Sequence, residues 1–205
     1  MQLYFAPLSC SLATRIALYE AGLTVEFRQV ELATKRLNDG RDYLAINPKG
    51  QVPALLTDDG RVLTEGPAVL QYVADLAPAS HLAPAAGTPA RYVLQQWLNY
   101  ISSEIHKGVF YLIFNPAVPP EAKTFARDLA RSRYDHLSQH LTAREFLLDE
   151  FSVADAYLVT TLGWAAPAGI DLAPWPVLTA YAARLRERPA VARALSEELA
   201  LAGRG

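Results

Sequence analysis

The chain opens on a short alternation in which Leu3 and Phe5 point the same way, and this predicts a strand. Leu12, Ile16 and Ala17 then recur at helical spacing before Gly22, a stop residue, so Leu12 to Ala21 reads as a helix. Alternation returns at Val25-Glu26-Phe27, a second strand. Val52 to Thr57 and Arg61 to Thr64 flank Asp58-Asp59-Gly60, a hairpin signature. Gly66-Pro67 opens a helix to about Leu76, with proline in the first turn, where no backbone N–H is needed. Strand, helix, strand, an irregular stretch, hairpin and helix make a small α/β layer domain.

The pattern changes after residue 77. Pro78, Pro84, Gly87 and Pro89 break any regular element, so residues 78–89 read as a linker. Beyond it every segment reads helical. Ala90 to Phe110 places Leu94, Leu98, Ile101 and Ile105 on one face, and Glu121 to Leu141 is a second helix. Ser152-Val153-Ala154-Asp155 resembles a capping box, with Asp where Glu or Gln is usual. Ala156-Tyr157-Leu158-Val159 is apolar nearly all round, as in a buried central helix. Val177 to Arg186 and Val191 to Leu199 complete the set. The expected organisation is an α/β domain at 1–77, a linker at 78–89 and an all-α domain at 90–205.

Composition removes several classes. The 205 residues hold 19 Lys plus Arg against 21 Asp plus Glu, a net charge of −2 with no basic cluster, which disfavours nucleic acid as a partner. One cysteine excludes an internal disulfide and a thiol-rich zinc site. A hydrophobic fraction of 51% excludes disorder. No run approaches the roughly 20 apolar residues of a membrane helix, and the apolar start ends at Pro7, too early for a signal peptide. The expectation is a cytoplasmic protein with a reduced thiol.

That thiol, Cys10, lies between the first strand and the first helix. A helix N-terminus carries unpaired N–H groups and partial positive charge, which favour a thiolate; a small buried hydrophobe is the alternative. A dithiol CxxC mechanism is excluded. In Gln51-Val52-Pro53 a cis bond would leave the backbone of Val52 to pair with an extended peptide, whereas an ordinary turn proline would do nothing. Glu65-Gly66-Pro67 sets a carboxylate and a bare amide at a helix start, a pair that suits an α-amino acid end or simple capping. Asn99, Ser103 and His106, at i, i+4 and i+7, form a polar stripe opposite the apolar face, facing either solvent or a cleft. His81, His136 and His140 show no metal spacing with carboxylates; His136 and His140, at i and i+4, have the spacing of a metal pair but read as a surface helix.

Together these residues resemble one family. Ser9-Cys10-Ser11-Leu12-Ala13, Asn47 to Leu55, Leu63-Thr64-Glu65-Gly66, Trp97-Leu98-Asn99-Tyr100, Glu104-Ile105-His106-Lys107 and Phe151 to Tyr157 are similar, in order and spacing, to bacterial glutathione S-transferases of the beta class. The resemblance implies a thioredoxin-like N-terminal domain, an α-helical C-terminal domain, and glutathione as co-substrate in the cleft between them, with no metal. Val52 would pair its backbone with the cysteinyl part of glutathione beside a cis Pro53, with Gln51 adjoining. Glu65 and Gly66 would hold the γ-glutamyl end and Lys35 the glycine carboxylate. Asn99 and Ser103 would reach the glutathione of a partner subunit in a homodimer, and Glu104 belongs to the same binding set. Cys10 and His106 would sit near the sulfur, with the hydroxyls of Ser9 and Ser11 as further donors. Gly66 departs from the Ser of many relatives, and Leu148 from their Gly.

The activity implied is transfer of glutathione to a hydrophobic electrophile, in detoxification. The alternatives are thiol–disulfide or peroxide reduction through Cys10, or non-catalytic ligand binding. The segment Phe110 to Phe114 is apolar but names no substrate.

Overall fold

The computed structural model describes residues 1–203. They divide into two compact units, Met1–Ala83 joined by the last helix, and Pro84–Arg188.

The first unit is built on a five-stranded sheet in the spatial order β3 (Arg36–Leu37), β2 (Glu26–Glu31), β1 (Gln2–Phe5), β4 (Ala54–Leu56) and β5 (Val62–Thr64). Strand β1 (Gln2–Phe5) lies at its centre, with Leu3 fully buried and Tyr4 and Phe5 nearly so. It pairs in parallel with β2 (Glu26–Glu31), Leu3 opposite Phe27, and antiparallel with β4 (Ala54–Leu56), Leu3 opposite Leu55. The parallel pair needs a crossover, which α1 (Ser11–Glu20) supplies. Gly22 ends α1 at φ +65°: its N–H donates to the Tyr19 carbonyl, and that of Leu23 to the Leu18 carbonyl. This Schellman geometry is why a glycine stands there. Strand β3 (Arg36–Leu37) pairs with the end of β2 inside the stretch that reads as irregular; two residues are too few to leave an alternation. Strand β5 (Val62–Thr64) closes the expected hairpin, with Gly60 at φ +82°. Helix α2 (Gly66–Leu76) follows and buries Val69, Leu70, Val73 and Ala74.

In the second unit, α3 (Pro89–Tyr100) is capped by Thr88, whose side chain accepts from the Arg91 N–H. Where the pattern predicts one α-helix to Phe110, the chain changes to a π-helix over Ile101–Phe110 and returns to α in α4 (Tyr111–Phe114). Ile101, Ile105, Val109 and Phe110 remain buried, so apolar spacing alone does not betray the change. Helix α5 (Pro120–Leu141) packs against this stretch. Helix α6 (Val153–Leu162) is buried along its whole length, as its composition predicts. Its capping box is complete: the Ser152 N–H donates to Asp155 at 2.9 Å and the Ala154 N–H to the Ser152 hydroxyl at 3.3 Å. Asp155 also accepts from the Leu147 N–H and the Tyr181 hydroxyl, which ties down the turn around Leu148 and α7 (Pro176–Arg186).

The last helix, α8 (Pro189–Ala202), departs from the expected boundary at 90–205, because it packs on α1 and belongs to the first unit. The physical reason is Arg15, buried on the inner face of α1. Its guanidinium lies over the rings of Phe5 and Phe27, at 4.3 and 4.0 Å, and needs carboxylates, which α8 supplies through Glu197 at 2.9 Å and Glu198 at 3.0 Å. Among the described residues no helix is long and apolar enough to cross a membrane.

Candidate active site

The turn from β1 into α1 is knotted on one carbonyl. Ala6 accepts from the Ser9 N–H at 3.2 Å, the Ser9 hydroxyl at 2.8 Å and the Ser11 hydroxyl at 3.2 Å, and its own N–H donates to the Ser11 hydroxyl. Ser11 is fully buried, and its hydroxyl is committed to Ala6 and Ser9. It therefore shapes the turn, and of the two serines only Ser9 is partly exposed. Within this turn Leu8 adopts φ +58°, an uncommon state for a branched side chain. Its N–H donates to Glu198 at 2.6 Å. Glu198 is wholly buried, and burial raises its carboxyl to about 7 although the Leu8 amide and Arg15 oppose the shift. Its contact with Arg15 is an ion pair without hydrogen-bond alignment.

Cys10 is the N-cap residue of α1, half-buried, and its Sγ donates to the Val52 carbonyl at 3.0 Å. The Val52–Pro53 bond is cis. The preceding Gln51 carbonyl is fixed by two donors, the Tyr43 hydroxyl at 2.7 Å and the Asn47 amide at 2.8 Å. Cys10, Val52 and Pro53 are thus brought together, with Gln51 held next to them. Lys35, at φ +56°, donates through Nζ to the Gly50 carbonyl at 2.9 Å. Gly50 itself adopts φ +60°, a left-handed state that suits glycine, and the Lys35 stem and Leu44 pack closely where a Cβ would stand. Glu65, at φ +69°, stands exposed at the start of α2 and is paired with Lys49, which also donates to the Thr64 hydroxyl at 2.8 Å. A Cβ on Gly66 would meet nothing within 4 Å, so the glycine there answers no steric demand.

The remaining candidates lie in the second unit. Asn99 and Ser103 are exposed and donate back along the helix, to the carbonyls of Gln95 and Asn99. Glu104 accepts from Arg133 of α5 at 2.7 Å. Asn99 and Ser103 are thus exposed, whereas His106, inside the π-helix, is half-buried. His106 Nδ1 lies 2.7 Å from the Tyr157 hydroxyl, and its ring meets the edge of Trp164 with centroids 5.1 Å apart. Burial, and to a lesser extent Lys107, push its pKa down to about 4, so the ring is neutral at pH 7. Phe110 packs on Trp164 and on Phe114, and Phe114 and Tyr111 are about half exposed. Within the π-helix, a Cβ on Gly108 would stand 2.9 Å from the Ser103 carbonyl oxygen, a backbone approach that only glycine allows unchanged.

The motifs leave Arg15, Glu198, Tyr157 and Trp164 unassigned. A basic residue on the apolar face of α1, between Leu12 and Ile16, is the one sequence signal that a buried carboxylate must exist elsewhere. Among the described residues no group of three or more His, Cys, Asp or Glu is placed to hold a metal.

A sheet of this topology, with a cis proline next to the carbonyl that a helix-capping cysteine contacts and followed by a helical unit, defines the thioredoxin-like class of folds. A family model described as the glutathione S-transferase N-terminal domain matches residues 9–76. Glutathione S-transferase GstA of Escherichia coli is 42% identical over 97% of this chain and 98% of its own length. A sphingomonad glutathione S-transferase solved with glutathione is 46% identical, with a TM-score of 0.93 over 97% of this chain and 98% of that one. The beta-class enzyme of Sphingomonas chungbukensis is 44% identical, with the same TM-score and coverage. The chain belongs to the glutathione S-transferase family of enzymes and has the fold of its bacterial beta-class members.

Proposed function

We propose that the protein binds glutathione at the cis Val52-Pro53 segment and transfers it, as the thiolate, to a small hydrophobic electrophile. The observation that carries this reading is Cys10 Sγ bonded at 3.0 Å to the Val52 carbonyl, because it sets the N-terminus of α1 beside backbone able to pair with a peptide. Glutathione is mostly thiol at pH 7, and each unit by which its pKa falls is worth about 1.4 kcal/mol. The amides of the first turn of α1, the Ser9 hydroxyl and His106 are the donors assigned to the sulfur anion. Ser11 supports the turn. Val52 and Gln51 take the cysteinyl part, Glu65 and the Gly66 amide the γ-glutamyl end, and Lys35 the glycine carboxylate. Tyr111, Phe114 and Trp164 supply an apolar face for the electrophile. Asn99 and Ser103, exposed on their helix, are assigned with Glu104 to the glutathione of a second copy, which makes the working form a homodimer. A cytoplasmic setting, which keeps Cys10 reduced, and a role in detoxification fit this chemistry.

The test couples a chromogenic-electrophile assay with mass spectrometry of the protein after glutathione disulfide. In that exchange the Cys10 thiolate attacks one sulfur, forms a mixed disulfide and releases one glutathione thiolate. Cys10→Ala retains part of the conjugation and loses the adduct. An undiminished adduct in that variant, or no calorimetric binding of glutathione to the wild type, overturns the reading.

A further inference from the structure

Family membership does not say which ring nitrogen of His106 carries the proton. The surroundings do. Nδ1 lies 2.7 Å from the hydroxyl of Tyr157, a residue 2% exposed on the fully buried α6. A ring that is neutral at pH 7 has one N–H and one lone pair to place. The lone pair of imidazole is a far stronger acceptor than a phenol oxygen, and phenol is the more acidic donor, so the favourable pairing has the hydroxyl donating and Nδ1 accepting. The proton then resides on Nε2. Turning the ring by half would exchange Nδ1 for a carbon and break the bond, and the Trp164 ring packed against it, centroids 5.1 Å apart, limits rotation further.

We propose that Tyr157 is a positioning residue that fixes His106 in the Nε2–H tautomer, so that its second ring nitrogen is a hydrogen-bond donor. This rests on the reading that His106 serves the glutathione sulfur, and it narrows that role. A ring held this way stabilises a sulfur anion already formed. It has no lone pair on Nε2 with which to take the proton from the thiol, so His106 is an anion donor and not a general base.

The test uses the full chain with ¹⁵N-labelled histidine. Multiple-bond ¹H–¹⁵N correlation at pH 7 distinguishes the two tautomers, and His106→Asn identifies the His106 signal among the four histidines. The wild type shows the Nε2–H pattern, and Tyr157→Phe shows both tautomers. An Nδ1–H pattern, or a mixture, in the wild type overturns the proposal without any need for activity or for a folded variant. In conjugation assays Tyr157→Phe lowers kcat about 3- to 10-fold and leaves the glutathione Kd within about twofold, the size of one lost hydrogen bond acting in the transition state. In the His106→Asn background the same change costs nothing more. Equal losses in both backgrounds mean that Tyr157 acts through packing alone, and overturn the proposal. If His106→Asn leaves conjugation unchanged, it is the reading of His106 at the sulfur that fails, and the tautomer measurement still decides the role of Tyr157.

Discussion

Glu198 gives stability a pH dependence whose sign runs against the usual carboxylate case. The perturbation is Glu198→Gln, which keeps an oxygen for the Leu8 N–H and removes the ionisable group. Burial raises the folded carboxyl to about 7 from an ordinary 4.5. The folded state therefore holds this proton more tightly than the unfolded chain, and between those two values unfolding releases it. Stability contributed by the group is fully present below the unfolded pKa and is lost as pH rises towards 7. Two to three units at roughly 1.4 kcal/mol each make the effect about 3 kcal/mol across the window. The side chain is wholly buried, so no discount for solvent is needed. The assay is urea unfolding of both proteins at pH 4.5, 6 and 7.5. Groups titrating elsewhere cancel in the difference, so the stability of the wild type minus that of the variant slides downward by about 3 kcal/mol as pH rises. A difference that is flat with pH, or that grows, refutes the argument that burial outweighs Arg15 at this carboxylate.

Gly108→Ala gains about 1 kcal/mol of helix propensity but sets a Cβ 2.9 Å from the Ser103 carbonyl oxygen. Overpacking against backbone at about 1–3 kcal/mol outweighs the gain, so urea unfolding shows net destabilisation, and a more stable variant would sink the idea that the π-helix needs this glycine. Gly66→Ser enters open space, and calorimetry shows unchanged stability with glutathione bound a few-fold more tightly, as one added hydrogen bond of about 1 kcal/mol would give. Asp155→Ala strands the Ser152 and Leu147 amides and the Tyr181 hydroxyl, and lowers stability by about 3–5 kcal/mol; a loss under about 1 kcal/mol contradicts that network.

Elements with a strong local signal were legible. The first strand and helix, the Asp58-Asp59-Gly60 hairpin, the capping box at Ser152 and the helix apolar all round each follow from residues adjacent in the chain. What stayed hidden depended on distant partners. Helix α8 has an ordinary amphipathic pattern, and only Arg15, far away in sequence, says where its carboxylates go. The π-helix stayed hidden for a different reason: its buried positions also satisfy α spacing, and the distinguishing contact is a carbonyl against a missing Cβ. At the candidate site, Cys10, Val52 and Pro53 were legible as residues, whereas the tie between His106 and Tyr157 needs two helices side by side.

Glu65 already has a partner of its own. Lys49 occupies the carboxylate before any ligand arrives, on an exposed surface where such a pair is worth about 0–1 kcal/mol. In the proposed glutathione complex an incoming ammonium would replace a cation and would not meet a bare anion. The contact is an exchange, and its net affinity is a difference between two similar ion pairs. Salt weakens both sides alike. Such a site cannot select for positive charge as such. It would favour a ligand whose ammonium is delivered by other contacts, and in the proposed function the Gly66 amide and the Val52 backbone are the groups that would do the delivering.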